Sequence, residues 1–199
     1  LSQGLVLVGE SSVLTQVSTH LAEALGTVQS LSLRFAAMLE LGLELAAERD
    51  PEHLLDIFCH AAQDIVRTKY VAVGLLDAEG TRLQSWAYQG LPKTIDAEFA
   101  EFDPRSGIFG RVLAEAAPIC VQGGGEFVPT DLFHSHPPVN CIFVVPLRTT
   151  NGIAGWIYFA DKPISNRMNA EDEQFAQTLA AQLGMAYGSL ALCEEIQRN

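Results

Sequence analysis

The side chains in this sequence that could do chemistry are histidines, thiols and aromatic rings, and none of them is grouped tightly enough to name a reaction alone. His134 and His136 stand two apart with Cys141 beyond them, and imidazole with thiolate is a common donor set for a metal or a haem iron. Pro137-Pro138 follows directly, a setting in which a loop histidine pair is often simply exposed, so both readings stand. Trp86 and Tyr88 alternate onto one face of a strand. Phe109, Phe127, Phe133 and Trp156 could join them around a small organic ligand, or serve equally as plain core. Arg105, with the backbone N–H groups of residues 106–108 at a helix start, could hold an anionic group of such a ligand.

Cys59, Cys120, Cys141 and Cys193 are widely scattered, with no Cys-x-x-Cys pair. Free buried thiols in a reducing compartment account for them most simply, which places the protein in the cytoplasm. Catalysis through Cys120 or Cys141 would need an accessible thiol in electropositive surroundings.

The elements that would position these groups can be read from composition and period. The chain has 199 residues, 48% hydrophobic and 18% charged, which suits a folded domain with extra structure. A net charge of -12 argues against a nucleic-acid surface, where a basic patch is expected. No stretch approaches the roughly 20 apolar residues that span a bilayer. The chain begins at Leu1 without methionine and is expected to be part of something longer, with Leu5 to Val8 as the last strand of an upstream module.

Leu14, Val17, Leu21, Ala24, Val28, Leu31, Phe35, Met38, Gly42 and Leu45 are separated alternately by three and four residues, the seam of a coiled coil. The spacing predicts a helix over 13–48, with Ser11 or Ser12 as N-cap. Residues 13–30 would pair with a second chain and 31–48 would pack on the domain. Gly26 inside this helix costs on the order of 1 kcal/mol against alanine, and an ordinary amphipathic helix docked on its own domain is the plainer alternative. Asp50-Pro51 then caps a second helix to about Arg67.

Two hairpins are predicted: Tyr70 to Leu76 with Leu83 to Gln89, and Cys141 to Arg148 with Ile153 to Ala160 across Asn151-Gly152. Residues 93–106 show no clear pattern. A short helix follows from Ser106 to Ala116, then a short strand from Pro118 to Val121. Gln122 to Pro138 reads as a loop, and Asn169 to Arg198 as a helix.

Five segments, in order, resemble a GAF domain over residues 31–198. They are Ser106-Gly107-Ile108-Phe109-Gly110-Arg111, Ala117-Pro118-Ile119-Cys120-Val121, Val144-Val145-Pro146-Leu147, Gly152 with Gly155-Trp156-Ile157-Tyr158, and Met168-Asn169-Ala170-Glu171-Asp172-Glu173. The resemblance implies an α+β, PAS-related fold: a central antiparallel sheet with the long N- and C-terminal helices on one face. A roof made of the loop and the short helix covers the other. The division expected is residues 1–30 as tail and signalling helix and 31–199 as the sensor domain.

The resemblance also implies small-molecule sensing within a larger signalling protein, such as a sensor histidine kinase of a two-component system. A homodimer through the terminal helices would pass the signal on, with no nucleic-acid or membrane contact and no catalysis by the fragment itself. A ligand-free module used only for dimerisation is the alternative, and a cysteine-dependent free methionine sulfoxide reductase is a further one. A bilin does not fit, because the one Cys-His pair, Cys59-His60, precedes the sheet. Asn166-Arg167-Met168 with Asp172-Glu173 matches the family's cyclic-nucleotide motif in part, with Arg for Lys and Met for Phe; acidic residues favoured at a helix start are the simpler account. The cofactor stays unknown, with haem or metal at His134/His136 as one possibility. The candidate ligand-binding set is therefore Trp86, Tyr88, Arg105, Phe109, Phe127, Phe133, His134, His136, Cys141 and Trp156.

Overall fold

The computed structural model describes the backbone of residues 2–127, 133–165 and 167–198, and the side chains of residues 13–123, 133–165 and 167–193. The chain forms two compact units, Leu1–Leu39 and Glu40–Asn199.

The first helix, α1 (Ser2–Ala47), starts well before the heptad does. Leu5 to Val8 are therefore helical rather than a strand, and Ser11 and Ser12 lie inside the helix rather than at its cap. A four-residue apolar run is too short to tell strand from helix by period. Within the first unit, Leu14, Val17, Leu21, Leu25 and Val28 are all more than half exposed, at 70%, 59%, 61%, 57% and 60%. Near its C-terminus the helix turns apolar side chains inward, with Leu41 and Leu45 buried.

Helix α2 (Pro51–Val66) is capped as expected. The Asp50 carboxylate accepts from the Glu52 N–H at 3.0 Å, Pro51 occupies the first turn, and Arg67 closes the helix in the left-handed conformation. Five strands follow: β1 (Tyr70–Leu76), β2 (Leu83–Gln89), β3 (Ile119–Phe127), β4 (Val139–Thr149) and β5 (Gly152–Ala160). They make one antiparallel sheet in the order β2-β1-β5-β4-β3. Because β2 and β3 sit at opposite edges, the chain between them must cross a whole face. It does so through α3 (Ile95–Glu101) and α4 (Gly107–Glu115). The patternless stretch 93–106 thus contains a helix, and the glycine-rich stretch read as loop continues β3 as far as Phe127.

Alternation along the strands divides the core. Ala72, Ile142, Val144, Trp156, Tyr158 and Ala160 face α3 and α4 and join one aromatic cluster with them. The intervening residues face the other way, where α2 packs on β1 and β2, and α5 (Ala170–Arg198) packs on β4 and β5. The contact with α5 is close: a Cβ added at Gly184 would lie 1.9 Å from the Arg148 carbonyl oxygen. No helix among the described residues is long and apolar enough to cross a membrane.

Candidate functional site

The roofed face holds most of the aromatic residues. Phe109 projects from α4, whose entry is a tight turn: Gly107 has φ of 53°, and a Cβ at Gly110 would strike the Arg105 carbonyl. Its ring lies 4.2 Å from that of Trp156 on β5, and Phe133 lies 4.3 Å from Phe99 on α3. The Trp156 indole spreads across Gly74 of β1, where an added Cβ would sit 2.6 Å from it. Trp86 and Tyr88 share a face of β2, as their spacing requires, and stack on Phe99 at 5.8 and 5.9 Å with interplanar angles of 10° and 11°. Both tie the roof to the sheet: the Trp86 indole N–H and the Tyr88 hydroxyl donate to Asp96 of α3, at 3.3 and 3.1 Å. Burial, with the carboxylate beside it, raises the Tyr88 pKa.

Four members of the predicted set are thus gathered around Phe99, a residue the sequence reading passed over: Trp86, Tyr88, Phe133 and Trp156. Phe109 packs behind Trp156. The side chain of Phe127 lies outside the described residues.

The histidines separate. His134 is exposed, whereas His136 is 4% exposed and faces inward. Its Nδ1–H donates to the Pro137 carbonyl at 2.6 Å, which leaves Nε2 to accept from the Tyr158 hydroxyl. Tyr70 meets the ring edge-on at 5.2 Å. With both nitrogens engaged and its neighbour turned outward, the pair does not form a shared ligand set. Among the described residues no group of three or more His, Cys, Asp or Glu could hold a metal ion.

His136 instead fastens the stretch entering β4, together with Glu98 of α3, which accepts from the Ser135 N–H at 2.8 Å. Burial holds the His136 pKa below the ordinary value, outweighing the carbonyl of Pro137 and the carboxylates of Asp161 and Glu98. The unfolded chain then binds the proton more readily than the folded one. The stability His136 contributes is complete above about pH 6.5 and is lost as pH falls through its lower folded value. Urea denaturation at pH 7.5 and 5.5 should show lower stability in acid, and His136→Gln should flatten that slope; an unchanged slope would count against the fastening role.

Two other predicted residues serve elsewhere. Arg105 is a clamp, its guanidinium donating to the carbonyl oxygens of Gly80 and Glu79 at 2.9 and 3.1 Å across the β1–β2 turn. Cys141 alternates with Ile142 and so faces α5, not the aromatic cluster. Gln122 pairs with Cys141, and Cys120 with Phe143, which puts Cys120 on that same face. Burial raises both thiols. Cys59 is buried on α2, and its thiol is likewise pushed up by burial.

The sequence reading missed a polar junction at the end of β5. Lys162 Nζ lies 2.9 Å from Asp172 Oδ1 and donates to the Val66 carbonyl at 2.7 Å. Asp172 and Asn169 also exchange backbone-to-side-chain hydrogen bonds at 2.8 and 3.2 Å, a capping box that starts α5. Asn166 lies outside the described residues, and the lysine that pairs with Asp172 is Lys162. Next to it, Asp161 takes Lys69 at 2.6 Å and both the backbone and side-chain N–H of Asn140 at 3.1 Å.

A family model described as GAF domain matches residues 48–187. Among solved structures, the GAF domain of an Acinetobacter phosphoenolpyruvate-protein phosphotransferase is 18% identical, covering 82% of this chain and 96% of that one at a TM-score of 0.63. The GAF domain of a protein assigned as a sensor histidine kinase in Pseudomonas syringae pv. tomato is 20% identical, covering 88% and 99% at 0.61. Free methionine-R-sulfoxide reductase from Neisseria meningitidis, in complex with its substrate, is 17% identical, covering 81% and 92% at 0.63. At these identities the likeness is one of fold.

Proposed function

The chain belongs to the GAF domain family, and from that premise we propose that it is a regulatory, small-molecule-sensing module of a larger signalling protein. It acts as a homodimer in the cytoplasm and passes the state of its roofed aromatic site onward through its terminal helices. The observation that carries this reading is the apolar stripe on α1, where Leu14, Val17, Leu21, Leu25 and Val28 face solvent at heptad-like spacing. A lone helix would gain nothing from such a stripe; a second copy would bury it, at about 1.5–3 kcal/mol for each fully buried Leu or Val side chain. Met185 and Leu192, exposed on α5, extend the case to the other terminal helix. A sensor histidine kinase, as in one structural relative, is the output that suits this arrangement.

Native mass spectrometry of the chain is the test. The wild type should weigh as a dimer. Leu21→Glu with Val28→Glu should weaken association at least about a hundredfold without unfolding the sheet, since four apolar contacts per dimer are lost. A wild type that stays monomeric at high concentration would remove the relay.

The dimerisation-only alternative draws its support from the close ring contacts under the roof, such as Phe109 on Trp156 at 4.2 Å. A sulfoxide reductase finds less: Cys120 and Cys141 lie on the face covered by α5, with thiols raised by burial rather than poised as thiolates.

A further inference from the structure

We infer that Asn151-Gly152 is a site of spontaneous covalent modification, where the chain converts its own asparagine to aspartate and isoaspartate, and that the isoaspartate form frees the β4–β5 turn from α5. Asparagine is thermolabile because the next backbone nitrogen can attack its carboxamide carbon. A glycine in that next position hinders the attack least, having no side chain. Gly152 has φ of 122°, and nothing lies within 4 Å of the place a Cβ would take. Both residues are exposed.

The carboxamide is also free to turn. Among the described residues the Asn151 side chain has no hydrogen-bond partner, and its backbone N–H is held by Thr149 Oγ1 at 3.3 Å. The other two described asparagines are restrained. Asn140 is 6% exposed and donates to Asp161 at 3.1 Å, and Asn169 accepts from the Asp172 N–H at 2.8 Å.

The Gly152 nitrogen loses its proton to hydroxide and attacks Asn151 Cγ. The new C–N bond closes a five-membered imide, the Cγ–Nδ2 bond breaks, and Nδ2 leaves as ammonia after taking a proton from water. Water then opens the ring. Addition at Cγ yields aspartate, and addition at the Asn151 backbone carbonyl carbon yields isoaspartate, with no oxidant or cofactor involved.

The two products differ in what they do to the turn. Thr149 and Gly152 pair across only two residues, and the Thr149 hydroxyl donates to the Gly152 carbonyl at 3.1 Å. Isoaspartate routes the main chain through Cβ and Cγ, which lengthens it by one atom and breaks that pairing; aspartate leaves the main chain as it was. The change reaches α5 because the turn lies against it. A Cβ added at Gly188 would sit 3.4 Å from Thr149 Cβ and 3.8 Å from Thr150 Oγ1, and one helical turn earlier Gly184 rests on the Arg148 carbonyl.

The full chain is incubated warm at mildly alkaline pH, and the peptide holding residue 151 is followed by mass spectrometry, with fragmentation that tells isoaspartate from aspartate. The wild type should accumulate both products there, and Asn151→Gln should accumulate neither. Conversion in the folded chain should be at most about a hundredfold slower than in concentrated urea, since an exposed turn opens at little cost. Greater protection than that, or earlier conversion at Asn140 or Asn169, overturns the site. The isoaspartate form is then purified and compared with Asn151→Asp, which carries the same charge on an unchanged backbone. Amide hydrogen exchange over residues 184–188 should be at least about tenfold faster in the isoaspartate form. Equal exchange in the two overturns the release of α5.

Discussion

Lys162→Ala should lower the unfolding free energy by about 3–5 kcal/mol, the range for removing one partner of a buried ion pair. The Lys162 and Asp172 side chains are 9% and 4% exposed, so the loss of the ammonium strands a carboxylate away from water. The damage spreads because one Nζ joins three elements: the C-terminal carbonyl of α2 at Val66, the chain leaving β5, and the capping box of α5. For a domain of this size the midpoint of thermal unfolding should fall by about 6–20 °C. The check is urea denaturation followed by far-ultraviolet circular dichroism. The double variant Lys162→Met with Asp172→Leu should recover a large part of the loss, because apolar residues of similar volume often replace a buried pair without penalty. A Lys162→Ala protein within 1 kcal/mol of the wild type would mean that the pair is solvated and the junction is not what fastens α5.

Phe109→Ala should cost about 3–5 kcal/mol, since it removes a fully buried ring whose neighbours cannot close the gap. Phe109 lies 4.2 Å from Trp156, 5.3 Å from Phe102 and 6.2 Å from Tyr158, on the helix that forms half of the roof. Those partners sit on sheet and loop, which are held in place by other bonds, so the void stays. Phe109→Leu keeps most of the volume and should cost under about 1.5 kcal/mol. The same urea titration measures both. A Phe109→Ala loss below 1 kcal/mol would show that α4 settles into the space and that the roof is pliable at this point.

What could be read from the residues alone depended on how local the cause was. The hairpins were legible because a period of two and the Asn151-Gly152 turn act within ten residues. α3 was not, because seven residues hold barely two turns, too few for a helical period to emerge, and its order comes from Phe99 and Asp96 meeting β2. That Trp86 and Tyr88 lie side by side was legible because positions two apart on a strand share a face, whereas Trp156 on β5 and Phe133 before β4 join them only through the fold. Cys141 lies on the face away from the aromatic cluster because strand parity decides which side a residue meets. The bonds of Arg105 and Lys162 were beyond reach for a different reason. Their partners lie 25 and 96 residues away, at Gly80 and Val66, and no spacing rule links them.

The glycine at 184 limits what α5 can do as a messenger. With the helix backbone resting on the Arg148 carbonyl, turning the helix about its own axis would swing the Cβ of Leu183 or Met185 into a gap that admits only hydrogen. Rotation about the helix axis is therefore resisted while the helix stays on the sheet, whereas a pivot about this fulcrum is not. The 14 residues from there to Arg198 form a lever arm of about 21 Å, so a tilt of a few degrees at the sheet becomes a displacement of an ångström or more at the far end.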